Sequence, residues 1–513
     1  MVKENTNKIR LIRQKTAFNS LVFCLLIITG SLLLTACSIN SPRVVTPTPP
    51  PQKRTATPAA QPTITPLPPL PTATPRPTLE AVPGGLKSTK ETVLKASFDA
   101  IIASYYFPVN SADIYEVALR GISSTLQTSG IQSPQVTIPD FSNDPVKDWN
   151  TFYQVYQLTL SRYQGQIPEE KLAYGAIQAT ISSLGDCETK FYSPIDAQGY
   201  LQNVTGLAPA VGLGIIVSPY DGGQGLYITR VTPTGPADKA GLKVGDAIQG
   251  IGGQTIIGIP LANAFRLLVG GDKPSPGTTV NLEIRKAGTG SVQKIDITRG
   301  TTTIQIFETQ VLGNVGYLRI NSFPNRAGTL LDEVTNQLDA KLQDFGSQNL
   351  KGIVIDLRGT RYGNWRTVIS FLSRFTQSND ILAIASQDDK HQPSRLSVST
   401  LKGVTPINKP LAVLADNTTA AEAEMFAWAL QNKKVAQVFG QDTAGCAIGS
   451  DVVNLSDNSL LNVARFRVIA DPTQPDGYLV RVSPDIVVDQ DVKMLEQGKD
   501  AILERALSYL RGL

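Results

Sequence analysis

Histidine is almost absent: His391 is the only one among 513 residues. That scarcity nearly excludes a Ser-His-Asp triad, which would have to rest on this one imidazole, and a metal centre built from several histidines. His391 itself lies in the polar run Gln387-Asp388-Asp389-Lys390-His391-Gln392-Pro393, which reads as a solvated loop, and no metal or cofactor motif is visible. Cysteine is scarce too. Of four, Cys24 and Cys37 belong to the N-terminal segment, leaving Cys187 and Cys446, which can pair or stay free because spacing alone does not bring two Cα atoms within bonding reach. A real excess of charge is also lacking. Five basic residues and one acid within residues 1–36 account for the whole formal +4, so the rest is neutral and nothing points to a nucleic-acid partner.

The N-terminus has the layout of an export signal. Lys3, Lys8, Arg10, Arg13 and Lys15 precede an apolar run from Leu21 to Leu34, followed by Leu34-Thr35-Ala36-Cys37. That tetrapeptide resembles a bacterial lipobox, whose cleavage would leave Cys37 to carry a lipid; an ordinary signal peptide or a single spanning helix are the alternatives. Residues 1–36 are therefore expected to be a lipoprotein signal, and the protein to be extracytoplasmic and lipid-anchored to a bacterial membrane. Residues 37–86 are dominated by Pro, Thr and Ala, as in Thr46-Pro47-Thr48-Pro49-Pro50-Pro51. Such a tract buries too little apolar surface to fold, and at about 3.1 Å per residue it makes a stalk on the order of 100 Å long.

Residues 87–205 carry a helical pattern, with Val93, Phe98, Ile101, Ile102 and Tyr105, and again Phe152, Val155, Tyr156 and Leu160, at spacings that share a helix face. An offset of 54 matches Phe98 with Phe152, Glu116 with Glu170 and Gly121 with Gly175, the trace of a duplicated helix pair. Residues 206–300 change to short strands and glycine turns. Val211-Gly212-Leu213-Gly214-Ile215-Ile216-Val217 is followed by Gly235-Pro236-Ala237-Asp238-Lys239-Ala240-Gly241, where Pro236 suits the first position of a one-turn helix and Gly241 its left-handed exit. Leu261, Ala264, Phe265 and Leu268 give a later helix an apolar face. From residue 301 to 513 the pattern is α/β. Ile353-Val354-Ile355-Asp356-Leu357 and Leu411-Ala412-Val413-Leu414 are continuous apolar runs of the kind buried on both faces of a sheet. Helices are expected around residues 328–343, 366–375 and 420–431, and a last one from about 492 to 510.

The glycine-rich segment resembles a PDZ domain. The resemblance implies that Gly212, Leu213, Gly214 and Ile215 receive a terminal carboxylate and an added peptide strand, and that Leu261, Phe265 and Leu268 line the pocket for the last side chain. The order of helical segment, PDZ module and α/β core resembles the carboxyl-terminal processing, or tail-specific, serine peptidases. Gly352-Ile353-Val354-Ile355-Asp356-Leu357-Arg358, Pro410-Leu411-Ala412-Val413-Leu414, Gly440 and Pro484-Asp485-Ile486-Val487-Val488 carry that likeness. It implies an α/β core of the crotonase/Clp-protease type, with an inserted β-rich PDZ domain and an N-terminal helical domain.

The family's nucleophile segment reads Gly-Ser-Ala-Ser-Ala-Ser-Glu, with a lysine base twenty-five residues after the second serine. Aligned on Glu424 and Gly440, this chain places Ala421 and Cys446 at those positions, within Thr418-Thr419-Ala420-Ala421-Glu422-Ala423-Glu424 and Thr443-Ala444-Gly445-Cys446-Ala447. A Ser–Lys dyad needs a hydroxyl and an amine made basic by burial. Alanine offers no nucleophile, and a thiol among apolar groups is a poor base. The family's glycine pair becomes Tyr362-Gly363, and the oxyanion-side amide falls on Glu422, whose carboxylate opposes another anion; alternatively, Glu422 is simply a good first-turn residue. Thr419 and Glu422 have the spacing of a capping box. Thr418, Thr419 and Cys446 remain as substitute nucleophiles, and Lys433 and Lys434, read as solvated charges at a helix end, as substitute bases. The leading expectation is a proteolytically silent lipoprotein that binds polypeptide C-termini or extended segments. An active serine-type peptidase with displaced catalytic groups, and a scaffold whose groove is filled by its own Leu513 terminus, are the alternatives.

Overall fold

The computed structural model describes residues 88–513 apart from 198–199, 201–209, 220–224, 260–262, 265–266, 269, 271–274, 303–304, 325–328, 362, 388–391, 472 and 474–476. The signal, Cys37, the stalk and His391 lie outside the described residues, as do Leu261 and Phe265.

Four helices open the described chain: α1 (Glu91–Ser104), α2 (Ser111–Thr128), α3 (Pro145–Arg162) and α4 (Glu169–Leu184). Residues matched by the offset of 54 also meet in space. Phe98 and Phe152 meet edge to face with ring centroids 5.3 Å apart, and Gly121 abuts Gly175 where α2 crosses α4. A Cβ on Gly121 would stand 2.8 Å from Gly175 O, and one on Gly175 would collide with Thr125 Oγ1, so glycine is what lets the two backbones approach.

The β-rich segment contains β2 (Ala210–Gly212), β3 (Ile215–Pro219), β4 (Leu226–Val231), the one-turn α5 (Pro236–Lys239), β5 (Ala247–Ile251), β6 (Gln254–Thr255), β7 (Thr279–Arg285), β8 (Val292–Thr298) and β9 (Gly300–Thr302), after a short β1 (Lys190–Tyr192). Its sheet runs β3-β4-β5-β7-β8, with β6 on β5, while β2 pairs with β9. Pro236 opens α5 and Gly241 leaves it at φ +75°, as the local sequence requires. Asn263–Ala264 and Leu267–Leu268 are helical.

The α/β core begins with β10 (Phe307–Leu312) and β11 (Val315–Ile320), followed by α6 (Thr329–Ser347), β12 (Gly352–Asp356), α7 (Trp365–Leu372), β13 (Leu382–Gln387) and β14 (Pro393–Val398). It continues through β15 (Leu411–Ala415), α8 (Glu422–Asn432), β16 (Ala436–Gly440), β17 (Ile448–Asn454), β18 (Leu460–Ile469), β19 (Ile486–Val487), α9 (Val492–Glu496) and α10 (Ala501–Arg511). The main sheet runs β10-β11-β12-β15-β16-β19, parallel except for β10. Its apolar runs are continuous because both faces are covered: Ile353, Ile355 and Val413 join the core with α6, α7 and α8, while Val354, Ala412 and Leu414 pack on Ile502, Ala506 and Leu510 of α10. A second, antiparallel sheet runs β1-β18-β13-β14, with β17 on β18. Helices α1–α4 pack on its Ile448, Leu461, Val463 and Ala464. The architecture is the expected one of an α/β core, an inserted β-rich domain and a helical N-terminal part.

Two details differ from expectation. The final helix is two, α9 and α10, because Gly498 turns at φ +73° and Asp500 caps a fresh start by accepting from Leu503 N at 3.1 Å. Leu513, the alternative occupant of the groove, follows α10 with 57% of its surface exposed, against the burial that role requires. One buried hub joins the layers: Asp356 Oδ2 accepts from Tyr317 Oη at 2.8 Å, Arg319 Nη1 at 2.9 Å and Arg358 Nη2 at 2.7 Å, and Arg358 reaches on to Asp500. Burial alone would raise the Asp356 carboxyl; the two guanidinium groups hold it well below the usual carboxylate range.

Gly175→Val is expected to destabilise the fold by about 1–3 kcal/mol through overpacking between α2 and α4, read as a lower urea midpoint; an unchanged midpoint would show that the helices part without cost.

Candidate functional site

The chain leaves the buried strand β15 at Ala415, makes a tight loop over residues 416–421 and enters α8. Asp416 holds the loop by accepting from Thr418 N at 2.9 Å and from the Thr418 hydroxyl. Ala421, fully buried, sits at φ +54°, ψ −119°, a conformation that costs a non-glycine residue about 1–3 kcal/mol and survives only where neighbours enforce it. The enforcing group is Glu424. Its Oε2 accepts from Ala421 N at 3.0 Å and Cys446 N at 2.7 Å, and its Oε1 accepts from Gly445 N at 2.8 Å and from Thr443 Oγ1. One carboxylate oxygen therefore brings the amides of residues 421 and 446 together.

The expected capping box does not form, and only its glutamate half appears, two residues further on. Helix α8 starts at Glu422 with Ala421 as its cap, and Glu424 makes the reciprocal bond to the cap N–H. Thr419 is unavailable for capping: its Oγ1 accepts from Asp416 N at 3.1 Å and donates to Leu357 O at 3.3 Å.

Cys446 is bonded to Cys187, with Cα atoms 6.0 Å apart, so the pairing left open by the sequence is made and Cys446 is not a free thiol. Two further carboxyls crowd this point. Glu422 is 1% exposed and its Oε1 meets no donor. Burial first, and then the charge of Glu188, push the Glu422 carboxyl up to about 8. Glu188 is likewise pushed up to about 7, chiefly by burial; Asp186 adds to this, while Lys190, Asn462 and Ser450 oppose it. The two positions singled out in the sequence thus hold an alanine and one half of a disulfide, beside two carboxyls that repel each other when ionised. Glu188 carried no signal in the sequence beyond its place beside Cys187, and Glu424 served there only as an alignment anchor.

The loop after β12 is latched to the loop before α8: Gly359 N donates to Thr418 Oγ1 at 2.9 Å and Ala420 N to Thr360 O at 3.0 Å. Gly363 packs against the Phe323 backbone, where a Cβ would stand 2.6 Å from Phe323 O, so close packing accounts for that glycine. Lys433 and Lys434 close the far end of α8, Lys433 paired with Asp380 at 2.9 Å and Lys434 exposed.

In the β-rich domain, Gly212, Leu213, Gly214 and Ile215 form the break between β2 and β3, with Gly214 at φ +74°. Leu213 O accepts from Ala237 N, and its side chain is buried with Leu268 in the domain core. Ile215 is half-buried, and β3 is an edge strand of its sheet among the described strands. Ile216 of this strand lies beside Gly359 of the core, whose Cβ would stand 3.4 Å from Ile216 Cδ1.

Residues 314–488 match the model of peptidase family S41, and residues 209–285 that of the PDZ domain. The chain is 27% identical over 338 residues to a chloroplastic C-terminal processing peptidase of Tetradesmus obliquus, covering 62% of this chain and 68% of that one. It is 26% identical over 389 residues to a carboxy-terminal-processing protease of Bartonella bacilliformis, covering 75% and 85%. With the carboxy-terminal processing protease CtpA of Bacillus subtilis it shares 27% over 294 residues, covering 57% and 59%, so the likeness spans only part of some relatives. Among solved structures, the photosystem II D1 C-terminal processing protease superposes with a TM-score of 0.45 at 22% identity, covering 78% of this chain and 94% of that one.

An unfolded glutamate titrates near pH 4.3, and Glu188 and Glu422 hold their protons higher in the fold. Their contribution to stability is therefore fully present below about pH 4.3 and is lost as pH rises through about 7 to 8. The melting temperature is expected to fall between about pH 4.5 and 8 and to level off above, and Glu422→Gln to flatten that fall; a variant that loses stability as steeply as the parent would remove the pair as its cause.

Proposed function

We propose that this chain, which belongs to peptidase family S41 and carries a PDZ domain, binds polypeptide C-termini or extended segments and does not cleave them. One observation carries the reading: Ala421 occupies the strained turn before α8, tied through Glu424 to a disulfide-bonded Cys446. On the family alignment these are the positions of the nucleophile and the base, and neither side chain can exchange a proton or attack a carbonyl. The substitute hydroxyls of Thr418 and Thr419 are engaged in holding their loop, and Lys433 and Lys434 stand at the opposite end of α8, which disfavours displaced catalysis. Recognition is assigned to the open edge of β3 with the Gly212–Ile215 break, where backbone groups pair with a peptide strand and receive its terminal carboxylate. An N-terminal lipid on Cys37 would hold this binder at an extracytoplasmic membrane surface.

The test is to mix residues 87–513 with peptides varied at their C-termini and follow retention and cleavage by mass spectrometry. Retention of apolar-ended peptides without cleavage is expected; cleavage that persists through repurification would overturn the assignment. Ile215→Glu should weaken retention at least about tenfold, because it places a charge beside an incoming carboxylate and apolar side chain. Leu213 is less suitable, since it supports the domain core. Unaltered affinity in Ile215→Glu would exclude the β3 groove. Cys37→Ser should abolish incorporation of a labelled fatty acid in cells, and labelling that survives the substitution would exclude the anchor.

A further inference from the structure

The two halves of the Cys187–Cys446 disulfide differ in access. Cys187 is exposed in the turn between α4 and β1, whereas Cys446 is only 8% exposed. Glu188, buried beside Cys187 in sequence, places Oε1 3.5 Å from Cys446 Sγ. A disulfide sulfur carries no proton, so a hydrogen bond across that gap must run from a protonated carboxyl to sulfur. The neighbouring polar atoms are short of protons as well. Asn462 gives its Nδ2 to Glu188 O at 3.0 Å and Oε2 at 3.3 Å while its own Oδ1 has no donor, and Glu422 Oε1 has none. A buried carboxyl, in a setting that favours its acid form, therefore touches the buried sulfur of a disulfide whose other residue faces solvent.

We propose that Cys187–Cys446 is a thiol–disulfide exchange site for a dithiol partner, with Cys187 Sγ attacked, Cys446 leaving and Glu188 protonating the leaving sulfur. One thiolate of the dithiol bonds to Cys187 Sγ. The electron pair of the broken S–S bond passes to Cys446 Sγ, which takes the proton from Glu188 Oε1. The partner's second thiol, after losing its proton to solvent, attacks the partner's own sulfur in the mixed disulfide and expels Cys187, which is protonated by water. The partner leaves as a disulfide, two electrons have entered the protein, and Glu188 regains its proton from solvent. Protonation matters at Cys446 because a buried thiolate beside carboxyl groups is unfavourable, and a poor leaving thiol slows exchange. The groups that govern Glu188 are Asp186 in its own turn, Lys190 on β1, Glu422 on α8, Ser450 on β17 and Asn462 on β18. Burial outweighs the rest and keeps the acid form available near neutral pH.

The oxidised protein is treated with dithiothreitol from pH 5.5 to 9, free thiols are counted by mass tagging, and each rate is divided by the thiolate concentration of the reagent. The corrected rate should be level below about pH 7 and fall above it, and Glu188→Gln should be at least about tenfold slower with a level profile. Equal corrected rates and profiles for parent and variant would overturn the proposal. Because the Glu188→Gln substitution can disturb the turn, the parent is also exposed to a monothiol and the mixed disulfide is mapped by peptide mass. An adduct on Cys187 supports the assignment; one on Cys446, or none on either, overturns it.

Discussion

Glu424 lies at the centre of the α/β core with its carboxylate engaged by three backbone amides and the Thr443 hydroxyl. Two of those amides belong to residues 421 and 446, so one side chain sets the entry of α8 and the course of the loop after β16. Without it three N–H groups would lose their acceptor, at about 1–3 kcal/mol for each that stays buried. The strained turn at Ala421 is a consequence of this anchoring. The arrangement fixes the backbone closely, with an alanine at one of those amides and a half-cystine at the other.

What surrounds the anchor is of opposite character to a Ser–Lys pair. A lysine base becomes effective when burial strips its proton; the carboxyls of Glu188 and Glu422, under the same burial, retain theirs. This buried cluster thus holds groups that keep their protons rather than groups that give them up. The Asp356 hub stands in contrast: equally buried, it stays ionised because Arg319 and Arg358 face it. Burial decides the first case and paired charge the second, within one fold.

Local features were legible in the sequence because local physics dictates them. Pro236 and Gly241 mark a one-turn helix by their own backbone preferences, and the runs at 353–355 and 411–414 are apolar on every position because both faces of the sheet are covered. Ala421 and Cys446 were singled out through spacing to Glu424 and Gly440, and their amides meet on one oxygen of Glu424. The contact of Glu188 with Cys446 was not, since it joins segments 258 residues apart through tertiary packing alone. The cap of α8 was misplaced for a related reason: Thr419, a good capping residue by type, had already been recruited by Asp416 and Leu357. The split between α9 and α10 turned on Gly498, whose left-handed turn breaks an otherwise continuous helical pattern.

The disulfide also has a mechanical meaning. It closes a ring with a sequence separation of 259 that contains the whole β-rich domain and most of the α/β core. Tension between the N-terminal helices and α10 passes through the S–S bond and bypasses that ring, which otherwise represents roughly 900 Å of extensible chain. With the bond closed the protein is a short tether that keeps its length under load. With the bond open the same chain becomes a long one that can yield.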